Sequence, residues 1–377
     1  MSKKGNLKEI ALLFFKLGCI AFGGPAAHVA MMEEEVVTKR KWMSRQHFLD
    51  LMGATNLIPG PNSTEMTMHC GHERGGALGL FVAGICFIFP AVVITGILAW
   101  LYVEYGQLPA VEPFIIGIKP AVLAIIAGAI FKLGKKALKN WELGVLGALV
   151  LAVSLFGVNE VMALLAGGVL GALYFSIKNR VALNTPKSIL PLLFLQGGTA
   201  AVTKIAAVKV FWTFLKVGAV LYGSGYVLFA YLDAELVTAG WMSRLELIDA
   251  IAVGQFTPGP VLSTATFIGY QLAGWQGAIA ATAGIFLPSF LFVLLLNPLI
   301  PKMRQSKVLG YFLDSVNIAA VAVMVAVLFV MGKDTLTGWI PVTIALLSVF
   351  FTFGPKKLGA MWLVAGGSIL GYLLHLI

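Results

Sequence analysis

Leu57-Ile58-Pro59-Gly60-Pro61-Asn62-Ser63-Thr64 cuts an otherwise apolar stretch, 47 to 69, near its middle. Proline lacks an amide hydrogen and ends the helix before it, yet it suits the first position of a new one. The stretch therefore reads as two short helices. At about 1.5 Å per residue, neither can cross a hydrocarbon core of about 30 Å. It is a broken span or a re-entrant hairpin, and the choice fixes the orientation of everything downstream.

The break occurs twice. At an offset of about 200 residues, Phe14, Lys16, Gly18 and Gly23 recur as Phe214, Lys216, Gly218 and Gly223, and Glu35, Val37 and Thr38 recur as Glu235, Val237 and Thr238. Trp42-Met43-Ser44-Arg45 returns as Trp241-Met242-Ser243-Arg244, Asp50 as Asp249, and Pro59-Gly60-Pro61 as Pro258-Gly259-Pro260. Further on, Pro90 meets Pro288, Leu133-Gly134-Lys135 meets Met331-Gly332-Lys333, and Trp141 meets Trp339. Shared hydrophobicity does not keep Lys, Trp and Pro-Gly-Pro in one order. The chain is a duplication, divided here as 1–187 and 188–377.

Of the 377 residues 59% are hydrophobic and 12% charged, about half the charge of a soluble domain. Mean hydropathy is +0.91, and runs such as Gly76 to Val103 and Glu112 to Phe131 match the length a bilayer demands. This is an integral membrane protein with no room for a large extramembrane domain, which argues against an enzyme. The net charge of +10 lies mostly in short loops. That is the positive-inside pattern, not a nucleic-acid surface. Cys19, Cys70 and Cys86 form no CxxC motif, and the basic start lacks a small-residue cleavage site, so no removable signal is expected.

Each half offers six apolar segments, in the first copy 9–32, 47–69, 76–102, 112–131, 141–156 and 161–177. If all six cross, the Lys and Arg outside them divide 14 to 10 between the two sides. If the Pro-Gly-Pro segment dips in and returns, the division is 19 to 5, with Lys3, Lys4 and Lys8 among the exceptions because this arrangement puts the N-terminus outside. Five crossings is odd and inverts the second copy. The expectation is an all-α polytopic membrane protein of two inverted-topology repeats, with about ten transmembrane helices and two re-entrant hairpins, the architecture of secondary transporters.

A helix that restarts inside the membrane presents unpaired N–H groups and the positive end of its dipole, which suits an anion. Gly23-Gly24-Pro25 is one such restart. Pro59-Gly60-Pro61 is another, with Asn62, Ser63 and Thr64 in its first turn. Gly223-Ser224-Gly225 and Pro258-Gly259-Pro260 are the second-copy equivalents. Each break alone reads equally well as a packing kink; two different breaks, both present in both copies, favour binding.

Lysine at mid-membrane costs about 2.5–3.5 kcal/mol on insertion scales. Lys16 and Lys216 precede the glycine breaks; they either snorkel to the interface or help offset the charge of a bound anion. Lys119, before Pro120, is read as a counter-charge to a bound anion; its counterpart is Asn317. Glu65, matched by Thr264, is either a coupling-proton site or an ion-pair partner of Lys119. Asp50 and Asp249 read as capping or pairing groups. The competing classes are an anion channel and a soft-metal cation carrier using Glu65, His69 and His72, which share one helical face. The second copy keeps no equivalent metal ligands.

Phe22-Gly23-Gly24-Pro25-Ala26-Ala27-His28, the loop from Glu35 to Trp42, and Leu57-Ile58-Pro59-Gly60-Pro61 together resemble the chromate ion transporter family over nearly the whole chain, as in its long two-domain members. The second copy departs from the motif, reading Tyr222-Gly223-Ser224-Gly225. The resemblance implies a multi-pass carrier of the inner or plasma membrane that moves chromate outward, often in competition with sulfate, and so confers resistance. It makes Gly23, Gly24, Pro25, Pro59, Gly60 and Pro61 the motif positions, and it implies no cofactor. A homodimer is compatible with it.

Overall fold

The computed structural model describes residues 7–22, 24–106, 108, 111–179, 206–222, 225–296, 303, 305–355 and 357–376. Among them every regular element is helical. The first copy runs α1 (Leu7–Ile20), α2 (Pro25–Glu33), α3 (Arg45–Thr55), α4 (Asn62–Tyr105), α5 (Glu112–Ala137), α6 (Trp141–Leu155) and α7 (Glu160–Lys178). The second follows as α8 (Ala207–Val220), α9 (Leu228–Leu232), α10 (Arg244–Phe256), α11 (Thr264–Leu296), α12 (Lys307–Thr335), α13 (Trp339–Phe353) and α14 (Ala360–His375). Both α2 and α9 run on into a wider π-type turn, Glu34–Lys39 and Asp233–Val237.

The repeated Trp-Met-Ser-Arg motif has a local explanation. Ser44 and Ser243 are the N-caps of α3 and α10, their hydroxyls accepting from the amides of His47 and Glu246, each at 3.2 Å. The Glu246 carboxylate reaches back to the Ser243 amide at 2.7 Å and completes a capping box. Asn140 and Asn159 cap α6 and α7 in the same way.

Hydropathy alone leads one to expect that segment 9–32 crosses the bilayer. In the structure this segment is two helices, α1 and α2, separated by a break. Trp42 Nε1 donates to Glu9 at 3.3 Å, and Lys16 stands 3.8 Å from Glu35. These pairs are nested about Pro25-Ala26, next to the break, so α2 folds back along α1. The second copy repeats it: Lys209 lies over the Trp241 ring at 4.7 Å, and Lys216 pairs with Glu235 at 2.6 Å. The Pro-Gly-Pro segment folds back too, since His47 in the first turn of α3 meets Glu73 at 3.2 Å.

Although α4 is helical almost throughout, it is two helices. Gly76, at φ 63° and ψ −155°, turns the chain at a conformation that side chains disfavour. A methyl placed on Gly71 would lie 2.5 Å from Ala83, whereas twelve residues of straight helix span about 18 Å. Limbs 62–75 and 77–105 are therefore antiparallel. In α11 the turn falls at Ala273-Gly274, and Thr266 and Thr282 join hydroxyls across it at 2.8 Å.

The two copies interlock. Limb 77–105 runs beside the second limb of α11, with Phe81 stacked on Phe290 at 5.4 Å and Trp275 against Gly96, so the two run in opposite directions. In turn α5 packs on α13 and α14 of the second copy, and α12 on α6 and α7 of the first. Small residues permit the approach: Gly117 abuts Gly367 and Gly371, and the matched Ser315 abuts Gly171. On limb 77–105, Leu78, Phe81, Ile85, Phe89 and Val93 form an exposed apolar stripe at helical spacing, while Leu80, Ala83 and Phe87 are buried. An uncovered stripe of this kind faces lipid. By length and composition, five helices among the described residues suit a membrane crossing, α4, α5, α7, α11 with its leading turn, and α12; α6, α13 and α14 are apolar and shorter.

Gly117→Val should overpack the α5–α14 crossing and lower stability by about 1–3 kcal/mol. Gly366→Val, at a position with open space beside it, should change little. Thermal unfolding of the two variants in detergent checks the difference.

Candidate functional site

Four chain breaks meet where the copies interlock. The Gly60 amide donates to Leu221 O at 2.7 Å, and the Gly259 amide donates to Ala21 O at 2.9 Å. Each Pro-Gly-Pro turn is thus sewn to the other copy's first break by one hydrogen bond, and the two bonds are equivalent under the repeat. Ala21 O accepts a second hydrogen, from His28 Nε2 at 3.0 Å, and the His28 ring sits edge-on to Phe87 at 5.7 Å. A carbonyl can only accept, so His28 carries its hydrogen on Nε2. Gly23, Gly223 and Ser224 lie outside the described residues. Gly24 and Gly225 flank them, Gly24 close to the Tyr226 hydroxyl and Gly225 beside Val261 and Leu262.

Helix restarts occur where the sequence places them. Pro25 opens α2, whose first intrahelical bond runs from the His28 amide to Gly24 O at 3.1 Å. Pro61 precedes α4, and the amides of Thr64 and Glu65 turn back to Pro61 O at 2.8 and 3.1 Å. The amides of Ala26, Ala27, Asn62 and Ser63 are left without intrahelical partners, as at any helix start. Ser63 and Thr64 are buried at this start. The Asn62 side chain instead bridges the break, donating to Asn56 Oδ1 at 2.7 Å. In the second copy Pro260 leads into a short 3-10 turn, Val261–Ser263, before α11.

The lysines do not gather at these breaks. Lys16 and Lys216 are largely exposed and pair with the repeat-matched Glu35 and Glu235. Glu35 also binds Arg40 and Lys39. The Lys16–Glu35 and Lys216–Glu235 pairs each tie the two arms of their hairpin together. Lys119 is 3.4 Å from Asp249 of the second copy, and the Tyr102 hydroxyl donates to the same carboxylate oxygen at 2.7 Å. Lys119 is therefore neither an unpaired counter-charge nor the partner of Glu65. The pair ties the two copies together.

Glu65 and Ser289 are fully buried, and neither Glu65 oxygen nor Ser289 Oγ has a hydrogen-bond partner among the described residues. Both face Gly60, which sits at φ 139°. A side chain there would strike both the Glu65 carboxyl and Ser289 Oγ, the latter at 2.5 Å. The Tyr222 phenol, beside the first break of the second copy, lies within the field of Glu65. Ser289 carries no sequence signal beyond following Pro288, and Tyr222 and Tyr226 are equally inconspicuous in their apolar run. His69 is buried with neither ring nitrogen partnered. Among the described residues no group of three or more His, Cys, Asp or Glu could hold a metal ion, so Glu65, His69 and His72 form no cation site.

Removing one member of a buried ion pair strands the other, at about 3–5 kcal/mol. Lys119→Ala should destabilise the protein by that order, and Lys119→Ala with Asp249→Asn by clearly less. A double-mutant cycle on thermal stability measures the coupling.

The chain matches the family model described as "Chromate transporter" twice, over residues 8–172 and 208–372. It is 31% identical over 373 residues to the chromate transport protein of Cupriavidus metallidurans, covering 97% of this chain and 92% of that one. It is 30% identical to the probable chromate transport protein of Synechococcus elongatus, covering 88% and 86%. To the chromate transport protein of Pseudomonas aeruginosa it is also 30% identical, covering 82% and 77%. No solved structure matches it significantly. With both copies matched and their paired breaks joined at one junction, the chain belongs to the chromate transporter family.

Proposed function

We propose that this protein is a secondary carrier of a tetrahedral oxyanion, chromate with sulfate as analogue and competitor, binding it at the junction of the four breaks. The observation that carries this reading is the pair of equivalent hydrogen bonds, Gly60 to Leu221 and Gly259 to Ala21. They bring the Gly24-Pro25 and Pro59-Gly60-Pro61 restarts, and Gly225 with Pro258-Gly259-Pro260, to one place. The lysines and arginines described near it are ion-paired, so the anion is held by amides of α2 and α4, by the hydroxyls of Ser63 and Thr64, and by the positive helix ends, each worth about half a charge. Glu65 is the coupling group. Among the described residues Glu65, His69 and His72 are not gathered as a ligand group, which favours the anion reading over the cation alternative.

In a bilayer, the fold-backs make re-entrant hairpins of α1–α2 and of α3 with limb 62–75, and likewise in the second copy. Contacts at the hairpin mouths support this. Glu9 binds both Arg40 and Arg74, so the start of α1, the loop before α3 and the end of limb 62–75 share one face. Glu142 binds Lys178 at that same face, whereas Glu160 lies in the field of Asp233 and Arg244 at the opposite one. Limb 77–105, α5, α6 and α7 then cross, as do their four counterparts running the other way. On this reading the two copies are inverted. All described loop Lys and Arg except Lys209, Arg244 and Lys333 fall on the first face, now joined by Lys8. By the positive-inside rule that face is cytoplasmic, and the N-terminal end, expected outside, is inside.

Rocking of one interlocked half against the other gives alternating access to the junction. The direction is outward, across the cell membrane, which accounts for resistance.

Proteoliposomes loaded with unlabelled chromate should take up labelled chromate saturably by counterflow, with sulfate competing and zinc without effect. Zinc uptake in place of chromate would establish the cation alternative. Non-saturable anion flux without counterflow would establish a channel.

A further inference from the structure

We infer that Glu65 of the first copy and Ser289 of the second form a single composite proton site, so that one proton is coupled to each oxyanion carried. The inference rests on the carrier reading above and deepens it. A carboxyl with neither oxygen hydrogen-bonded is costly inside a protein, and here an unpartnered hydroxyl of the other copy, Ser289, lies with it against Gly60. A serine hydroxyl both donates and accepts. When Glu65 is ionised, Ser289 can donate to the carboxylate. Once a proton from the water on one side binds, the new carboxyl O–H can donate to Ser289 Oγ, and release to the other side restores the carboxylate. No other reactant is needed. Because the two groups come from different copies, rocking of the copies changes their separation and with it the hold on the proton.

The repeat supplies the argument for one proton and not two. At the positions matched to Glu65 and Ser289 stand Thr264 and Ala91. The Thr264 hydroxyl donates to Val261 O at 2.8 Å, and Gly259 faces the Ala91 methyl at 3.0 Å. Nothing there ionises. Around Glu65, the Tyr222 phenol lies within its field and His69 stands one turn along the same limb. Four cations of α1, α5, α8 and α10 have partners of their own: Lys16 with Glu35, Lys119 with Asp249, Lys216 with Glu235, and Arg244 with Asp233 and Asp334. Moving a dianion with or against one proton leaves net charge moved, so transport is electrogenic.

The test is the gradient that stops net flux in proteoliposomes, read with chromate at alkaline pH, where it is a dianion, and with the membrane potential clamped at zero. One coupled proton makes a one-unit pH gradient balance about a tenfold chromate gradient; two make it about a hundredfold. We expect tenfold for the wild type, and no balancing effect of pH in Glu65→Gln, with downhill flux slower but present. Ser289→Ala should keep the tenfold balance and shift the pH at which flux is half-maximal. A wild-type balance of a hundredfold or of unity, a tenfold balance kept in Glu65→Gln, or an unshifted profile in Ser289→Ala would overturn the composite site while leaving an oxyanion carrier. Absence of any saturable chromate flux in the wild type would instead overturn the carrier reading itself.

Discussion

Inside a membrane no water is at hand to satisfy a broken helix, so irregular backbone survives there only where protein supplies the missing partners. In this molecule two hydrogen bonds do so across the duplication, from Gly60 to Leu221 O and from Gly259 to Ala21 O. Each copy's Pro-Gly-Pro turn is completed by the other copy's first break. The rest of the architecture follows from that mutual need: a single copy has no partner for its own turn, and the two must sit with their breaks together. The crossings of α5 over α14 and of α12 over α7, tight enough to need Gly117, Gly367, Gly371 and Gly171, hold them there.

Pairing under the repeat also separates what is structural from what is specific. Lys16 with Glu35 and Lys216 with Glu235 recur in both copies and clasp the hairpins. By contrast, Lys119 with Asp249 and Tyr102 occurs once, since the matched positions hold Asn317 and Asp50. Glu65 with Ser289 also occurs once. The scaffold is close to symmetric and the charges on it are not.

Much of this was legible in the sequence because duplication leaves ordered, chemically unlike matches. Trp42-Met43-Ser44-Arg45 and Pro59-Gly60-Pro61 disclosed the repeat, and the division of loop charges favoured a fold-back at Pro59 over a broken span. The fold-back of α1 onto α2 was hidden, since 9–32 is long enough to cross and Gly23-Gly24-Pro25 reads equally well as a kink. A signal was present in the repeated spacing of Lys16 to Glu35 and Lys216 to Glu235. The partner of Lys119 was not legible, because Asp249 lies in the other copy and only packing of α5 on α10 brings them together. Ser289 gave no signal of any kind; its meaning comes from facing Gly60.

The central claim is that the oxyanion lies among the four breaks and not beside the lysines. The anomalous scattering of chromium in crystals grown with chromate locates it directly. A peak beside the amides of Asn62 and Ser63, near Gly24 and Gly259, is the predicted result. A peak between Lys119 and Asp249, or against Lys16 or Lys216 at the rim, would contradict the account.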